Sequence, residues 1–409
     1  MEQVLNYIKE NLSKTFREPN SFTPYPFVSP TIDEQYKDFY YWDTYFENLG
    51  LMLLGKTDYV ESNLDNIAYA INKYGFMPNA LVHHSLNRSQ PPFFTKMVYG
   101  YYKFTADKRI IQKYIDTIIK EHSFWKRKRT YPVGLSSYGC ESEGEDLISS
   151  GYCHHERVQE SSDTVEGRME IGKNLLAIAE SGLDFNMRFK TDESNISADR
   201  FYHLDLNCIL YEAEVLTAEM LDIIGRIDEA KEYTLRAKAR KNAVNKYLWC
   251  EEKGVYLDYD FIDGRFSSVL SAVSLYPFAF GVSTDANSAK RVLGRLELDY
   301  GVSACEFRGD NALYYQWDYP CVWPAANLLS YQALVRAGLS DDALRIAEKY
   351  LKVVDKNFLL TGRLWEKYDG RTGDIAVTTE YATPPFLGWT ASNYVVLNDR
   401  INKGKSRNV

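Results

Sequence analysis

No apolar run in these 409 residues approaches the roughly 20 needed to cross a bilayer. Cysteine is sparse and scattered. The six, at 140, 153, 208, 250, 305 and 321, form no CxxC pair. They read as reduced thiols, not as a disulfide framework. Basic excess is missing too, and a net charge of −8 argues against a dedicated nucleic-acid binder. The one dense basic run, KRKRT at 126–130, reads as a solvated helix end. The first residues, MEQVLNYIKENLSKTF, have an amphipathic helical pattern and lack the basic start and apolar middle of a signal peptide. The expectation is a cytoplasmic protein with no membrane partner.

Several chemistries have no motif. The histidine pairs at 83–84 and 154–155 are not spaced as HExxH, and only a minor metal possibility attaches to Cys153–Glu156. GRTG at 370–373 lacks the Gly-Lys-Ser/Thr ending of a phosphate loop, and no GxSxG elbow is present. Nothing calls for a metal or an organic cofactor, and nothing specifies an oligomeric state.

What is abundant is aromatic: 14% of residues, including 32 tyrosines. A tyrosine has a flat apolar face and a polar tip, which suits a sugar ring with its C–H faces and hydroxyl rim. The same composition also describes an ordinary tyrosine-rich core and surface.

Apolar residues recur mostly at helical spacing. The segment 204–225 carries Leu206, Ile209, Leu210, Ala213, Leu216, Met220 and Ile224 on one face. Asp58 followed by Glu61 resembles a capping box for a helix that stops at Gly75. Further helices are expected over roughly 2–14, 93–105, 107–127, 165–181, 227–248, 285–297, 324–338, 340–355 and 386–402. A hairpin turning at Asp263–Gly264 fits 254–266. The stretches 128–165 and 363–385 read as long loops. No linker-like shift in composition divides the chain, so one domain over 1–409 is expected, with helices in antiparallel pairs fitting a closed ring.

Four loop-like stretches combine aromatics with acids: DFYYWDTYF (38–46), SGLDF (181–185), QWDYPCVW (316–323) and WEKYDGRTG (365–373), the last running on to TTEY (378–381). Cleaving a glycosidic bond takes two carboxyl groups, one to protonate the departing oxygen and one to attack or to activate water. An apolar setting keeps the donor protonated. Asp184 between Leu183 and Phe185 suits the acid, and Glu366 beside Lys367 suits the base. An acid beside an aromatic is also the ordinary text of a helix cap or a surface pair, so local sequence leaves both readings open.

In order along the chain, FYYWDTYF, MPNALVHHSLNRSQPPFF (77–94), ESGLDFNMRF (180–189), QWDYPCVW and WEKYD resemble the signature stretches of the trehalases, glycoside hydrolase family 37. The resemblance implies an all-α (α/α)6 barrel with long loops over one end, and an inverting α-glycosidase. By it, Asp184 is the general acid and Glu366 the general base. It assigns Tyr36, Tyr40, Trp42, Asp43, Asn79, Arg88, Gln90, Gln316, Trp317, Asp318 and Glu380 to a sugar pocket. Trp42 and Trp317 would stack on sugar faces, and Asp43, Asn79 and Gln90 would grip hydroxyls.

The chain departs from the pattern where the second sugar would sit. Gln35 stands where the family has an arginine, GCES (139–142) replaces Arg-Pro-Glu-Ser, and DIAVT replaces a glycine-rich run before Glu380. The cleaved sugar's subsite looks kept and the leaving-group subsite changed. That pattern also fits the related family 63, whose compact members hydrolyse mannosylglycerate and glucosylglycerate. A non-catalytic sugar-binding protein and a sugar epimerase on the same barrel are the alternatives; the epimerase would rely on paired histidines, and only His203 is near a pocket-like helix.

Overall fold

The structure, a computed structural model, describes residues 2–158, 161–190, 196–376, 378 and 380–407. Its helices are α1 (Glu2–Asn11), α2 (Tyr41–Leu53), α3 (Thr57–Tyr74), α4 (Phe94–Thr105), α5 (Lys108–Lys128), α6 (Glu145–Val158) and α7 (Val165–Glu180). They continue as α8 (Leu204–Ile223), α9 (Ile227–Tyr247), α10 (Tyr276–Ala279), α11 (Ala286–Leu296), α12 (Pro324–Arg336), α13 (Ser340–Thr361) and α14 (Gly388–Arg407).

Boundaries follow local chemistry. Asp107, Thr164 and Asp285 cap α5, α7 and α11 by accepting from the backbone N–H of Arg109, Gly167 and Asn287. Pro324 opens α12 at its first turn. α3 ends at Gly75, whose φ of 87° suits glycine. The capping box expected at Asp58 is not made: Lys56 is the N-cap, without a side-chain bond. In the 254–266 region, Tyr259–Asp260 pairs antiparallel with Arg265–Phe266 as expected, while Val255–Tyr256 pairs backwards with Trp249–Cys250.

Two further expectations fail. The stretch 38–46 is not a loop, because α2 begins at Tyr41. Tyr41 through Asn48 are all buried, so α2 shows no polar face and hides from a search for amphipathic period. The stretch 128–165 is not all loop either, since it holds α6. Gly151 and the serines before it weaken α6 by propensity, but the glycine serves the packing. A Cβ on Gly151 would strike the Arg168 carbonyl, and one on Gly172 would strike that of Leu147. Glycine lets α6 and α7 approach backbone to backbone.

Six helices touch in a closed cycle: α2, α4, α8, α10, α12, α14 and back to α2. Against them pack α3, α5, α9, α11 and α13. α2, α8 and α12 are buried along most of their length, whereas α9 buries one face only. This is the (α/α)6 ring with an outer layer. At the α2–α14 crossing, Gly50 lies against Ser392, where a Cβ would come within 2.5–2.7 Å of it. Strands among the described residues are two residues long. One pair, Cys321–Val322 with Tyr368–Asp369, ties the connection before α12 to the one before α14. No helix among the described residues is long and apolar enough to cross a membrane.

Candidate active site

A cavity of about 300 Å³ opens where the N-terminal ends of α2, α12 and α14 meet their connecting loops. Trp42 and Asp43 come from the first turn of α2, Trp323 caps α12, and Trp389 is the second residue of α14. The α3–α4 connection contributes Asn79, His84, Ser85, Arg88 and Gln90; the loop after α7 contributes Gly182 and Asp184. Gln316, Trp317, Glu366, Tyr381 and Phe386 complete the wall with Pro30, Tyr36 and Tyr40.

Four tryptophans form one cluster on this wall. Trp317 lies flat on Trp323, with centroids 3.7 Å apart and planes 5° from parallel. Trp42 tilts against Trp317 at 5.8 Å, and Trp389 stands edge-on to Trp42 and Trp323 at 5.7 Å. Gly182 explains how Asp184 reaches the cavity. Its φ is 69°, and a Cβ there would come within 3.0 Å of the Trp42 ring, so only glycine lets the loop cross that face.

The hydrogen bonds fix the loops to one another. Gln90 Oε1 accepts from the Trp42 backbone N–H at 3.1 Å, capping α2 from a distant segment. Asn79 Nδ2 donates to the Ala179 carbonyl at 3.1 Å. Gln316 Nε2 donates to the Asp184 carbonyl, and the Trp317 N–H donates to that of Phe185 at 3.1 Å. Arg88 Nη1 donates to Asn87 Oδ1 at 2.7 Å and to the His84 carbonyl at 3.1 Å. Behind them, buried Arg129 grips Glu180 twice, at 2.8 and 2.9 Å, and Glu141 at 2.8 Å; Glu180 in turn accepts from the N–H groups of Ser89 and Gly139. Arg129 is thus a core ion-pair residue, unlike the exposed Lys126, Arg127 and Lys128 of the same basic run.

Acids dominate the electrostatics. Asp43 is pushed up to about 8, first by burial and then by the charges of Glu366 and Asp184. The Tyr36 phenol is raised by burial and by the same two carboxylates. Burial works against the charge on Arg88, while Asp184 favours it. Glu366 is buried, and its Oε2 accepts from Lys367 Nζ at 2.6 Å and from the Tyr381 hydroxyl at 2.7 Å. One further acid, Glu47, lies a turn below Asp43 on α2, with both oxygens buried and without a hydrogen-bond partner; burial raises it well above its usual range.

Of the residues singled out in the sequence, Asp184, Glu366, Tyr36, Tyr40, Trp42, Asp43, Asn79, Arg88, Gln90, Gln316 and Trp317 line this one cavity. Asp318 and Glu380 do not. Asp318 is fully buried beneath the wall, accepting from the backbone N–H of Met187 and Tyr315, both at 2.9 Å, and burial pushes it up to about 6. It fastens the 315–318 turn to the segment after Asp184. Glu380 Oε2 accepts from the Gln316 N–H at 2.6 Å, behind the wall. Lining residues that the sequence did not single out include His84, Ser85, Tyr381, Phe386 and Trp389. The acid-aromatic pair Glu380–Tyr381 was a signal, but it pointed at the acid. Histidines 154 and 155 and Cys153 lie outside the residues whose side chains are described. Among the described residues no cluster of His, Cys, Asp and Glu is arranged to hold a metal ion.

A cup with a tryptophan floor, ringed by carboxyl, amide and guanidinium groups, is built for a polyol with apolar faces. A family model described as Trehalase matches residues 3–402. The chain belongs to the trehalase family. The family is one of glycoside hydrolases, the enzyme class expected from the sequence. The trehalase of Homo sapiens is 28% identical over 96% of this chain and 70% of its own length. The chain spans 66–70% of the length of the curated relatives it matches. Among solved structures, the neutral trehalase of Saccharomyces cerevisiae superposes with a TM-score of 0.76 at 24% identity, over 98% of this chain and 81% of that one. A family 63 mannosylglycerate hydrolase from Thermus thermophilus gives 0.67 at 15% identity, over 97% and 100%. Both share the (α/α)6 fold. The five signature stretches of the trehalase-family chain, dispersed between residues 39 and 369, all reach the tryptophan-lined cup or the segments directly behind it.

Proposed function

We propose that this trehalase-family chain is an inverting hydrolase of a small α-glycoside. Asp184 protonates the departing glycosidic oxygen. Glu366 takes a proton from a water whose oxygen attacks the anomeric carbon from the opposite face, as the bond to the leaving group breaks. The observation that carries this reading is that Asp184 and Glu366, remote in sequence, open on one cavity and both act electrostatically on Tyr36 and Asp43. Trp42 and Trp317 supply stacking surfaces. Asp43, pushed up to about 8 chiefly by burial, is a hydroxyl partner able to donate as well as accept.

The leaving group is trehalose's second glucose or a glycerate. Gln35 and Gly139 stand where the family pattern has arginines, and the flank of Gly139 is taken by the Arg129 side chain, 3.3 Å from where its Cβ would be. Arg88 remains as a cation for a carboxylate. We also assign the enzyme to one catalytic domain over 1–409, because its helix ring closes on itself, and to the cytoplasm, to which the unpaired thiols of Cys140, Cys208, Cys250, Cys305 and Cys321 are suited.

The test is hydrolysis of trehalose, α-glucosylglycerate and α-mannosylglycerate by the purified protein and by Asp184→Asn and Glu366→Gln. One substrate should release its sugar first as the β anomer by NMR, and each variant should lose at least about 10³-fold in turnover while staying folded. Release of the α anomer, or near-normal turnover by either variant, rejects the mechanism; binding without product by the native protein favours the sugar-binding alternative.

A further inference from the structure

Glu366 and Lys367 are neighbours in sequence, and the fold buries both. The Lys367 side chain has no exposed surface, yet lysine almost never sits inside a protein unpaired. Its ammonium lies 2.6 Å from Glu366 Oε2, 4.0 Å above the centroid of the Tyr381 ring and 4.8 Å from that of Trp323. The Tyr381 hydroxyl donates to the same Oε2 at 2.7 Å. Two donors from different segments therefore converge on one oxygen of the carboxylate. Lys367 is held from behind by the strand that follows it, Tyr368–Asp369, paired with Cys321–Val322 just before Trp323. It does not line the cavity, whereas Tyr381 does.

We propose that Lys367 and Tyr381 are positioning residues for the base. By occupying Oε2 they stop the carboxylate from rotating and commit Oε1 to the attacking water. The ring contacts of Lys367 with Tyr381 and Trp323 hold the ammonium in place without spending its charge on a second acid. Among the described residues, the other titratable groups that share this electrostatic neighbourhood are Asp43 on α2, Asp184 after α7 and Tyr36, with Cys321 facing Lys367. None of these supplies a cation, so Lys367 is the local counter-charge. This inference rests on Glu366 being the base.

The test compares native protein with Lys367→Met, Lys367→Arg, Tyr381→Phe and Glu366→Gln on α-D-glucosyl fluoride and α-D-mannosyl fluoride. Fluoride departs without a proton donor, so these substrates report on the base step whatever the natural leaving group. Lys367→Met should lose about 100-fold in kcat with KM within about threefold, Lys367→Arg should recover about tenfold of that loss, and Tyr381→Phe should lose about tenfold in kcat. Circular dichroism establishes that each variant is folded. If Lys367→Met does not fold, Tyr381→Phe, which removes a single hydroxyl, decides. Unchanged kcat in the folded variants, or a loss confined to KM, overturns the inference while an inert Glu366→Gln leaves the base assignment standing. An active Glu366→Gln, or a native protein inert on both fluorides, rejects the underlying hydrolase reading instead.

Discussion

Asp43→Asn should make the protein more stable, by an amount that grows with pH. Asp43 is buried on α2 and is pushed from an ordinary 3.8 to about 8 by burial and by the neighbouring Glu366 and Asp184. Because the folded-state value is the higher one, the folded chain keeps a proton that the unfolded chain releases. Stability attributable to this group is fully present below about pH 4 and is lost as pH rises through the window up to about 8. Each unit in that window costs about 1.4 kcal/mol. Over the three units to pH 7 the native protein gives up on the order of 4 kcal/mol that an uncharged amide of the same shape does not. Urea unfolding of both proteins at several values between pH 5 and 8 measures the difference. Glu121, shifted to about 7 by burial, does not feel Asp43 and so titrates alike in both proteins and cancels. Glu47, raised by burial and by Asp43, is removed from the comparison by making both proteins Glu47→Gln. A difference that is flat with pH, or that favours the aspartate increasingly, would refute the electrostatic reasoning. The stabilised variant should turn over substrate more slowly, as expected when a strained functional group is relieved.

Three further outcomes can be checked. Gly50→Ala forces a Cβ to within 2.5–2.7 Å of Ser392 across the α2–α14 crossing and should cost about 1–3 kcal/mol by urea unfolding. Arg129→Met strands Glu180 as a buried, uncompensated charge and should cost about 3–5 kcal/mol, part of which returns when Glu180→Gln is added. Gly182→Ala sets an alanine at a φ of 69° against the Trp42 ring and should cut kcat at least about tenfold by displacing Asp184, more than its cost of about 1 kcal/mol in stability accounts for.

The sequence displayed the outer layer of the barrel more openly than the ring. α9 and α13 carry a charged face, so their period is visible; α2 is buried on nearly every side and has no contrast to read. α6 was hidden for a different reason, because Gly151, which weakens the helix locally, is also what lets it dock on α7. At the site, the aromatic-acid stretches pointed to the cavity walls because both residue types are needed there. They could not tell Asp43, which faces the hollow, from Asp318, which looks the same in sequence and lies beneath it as a backbone anchor. That difference is set by which way one turn faces after segments about 130 residues apart have docked. The same limit hid the bonding of Lys367 and Tyr381, since the text WEKYD does not reveal that the lysine folds back onto its own neighbour.

The tryptophan cluster makes the molecule its own indicator. Four of its seven indoles, Trp42, Trp317, Trp323 and Trp389, border the cup. A sugar arriving there changes the polarity around most of the chain's emitters at once, and the parallel pair Trp317–Trp323 is close enough to couple optically. Occupancy can therefore be followed through native fluorescence, without a label, a coupled enzyme or any turnover, including in variants that have lost their chemistry.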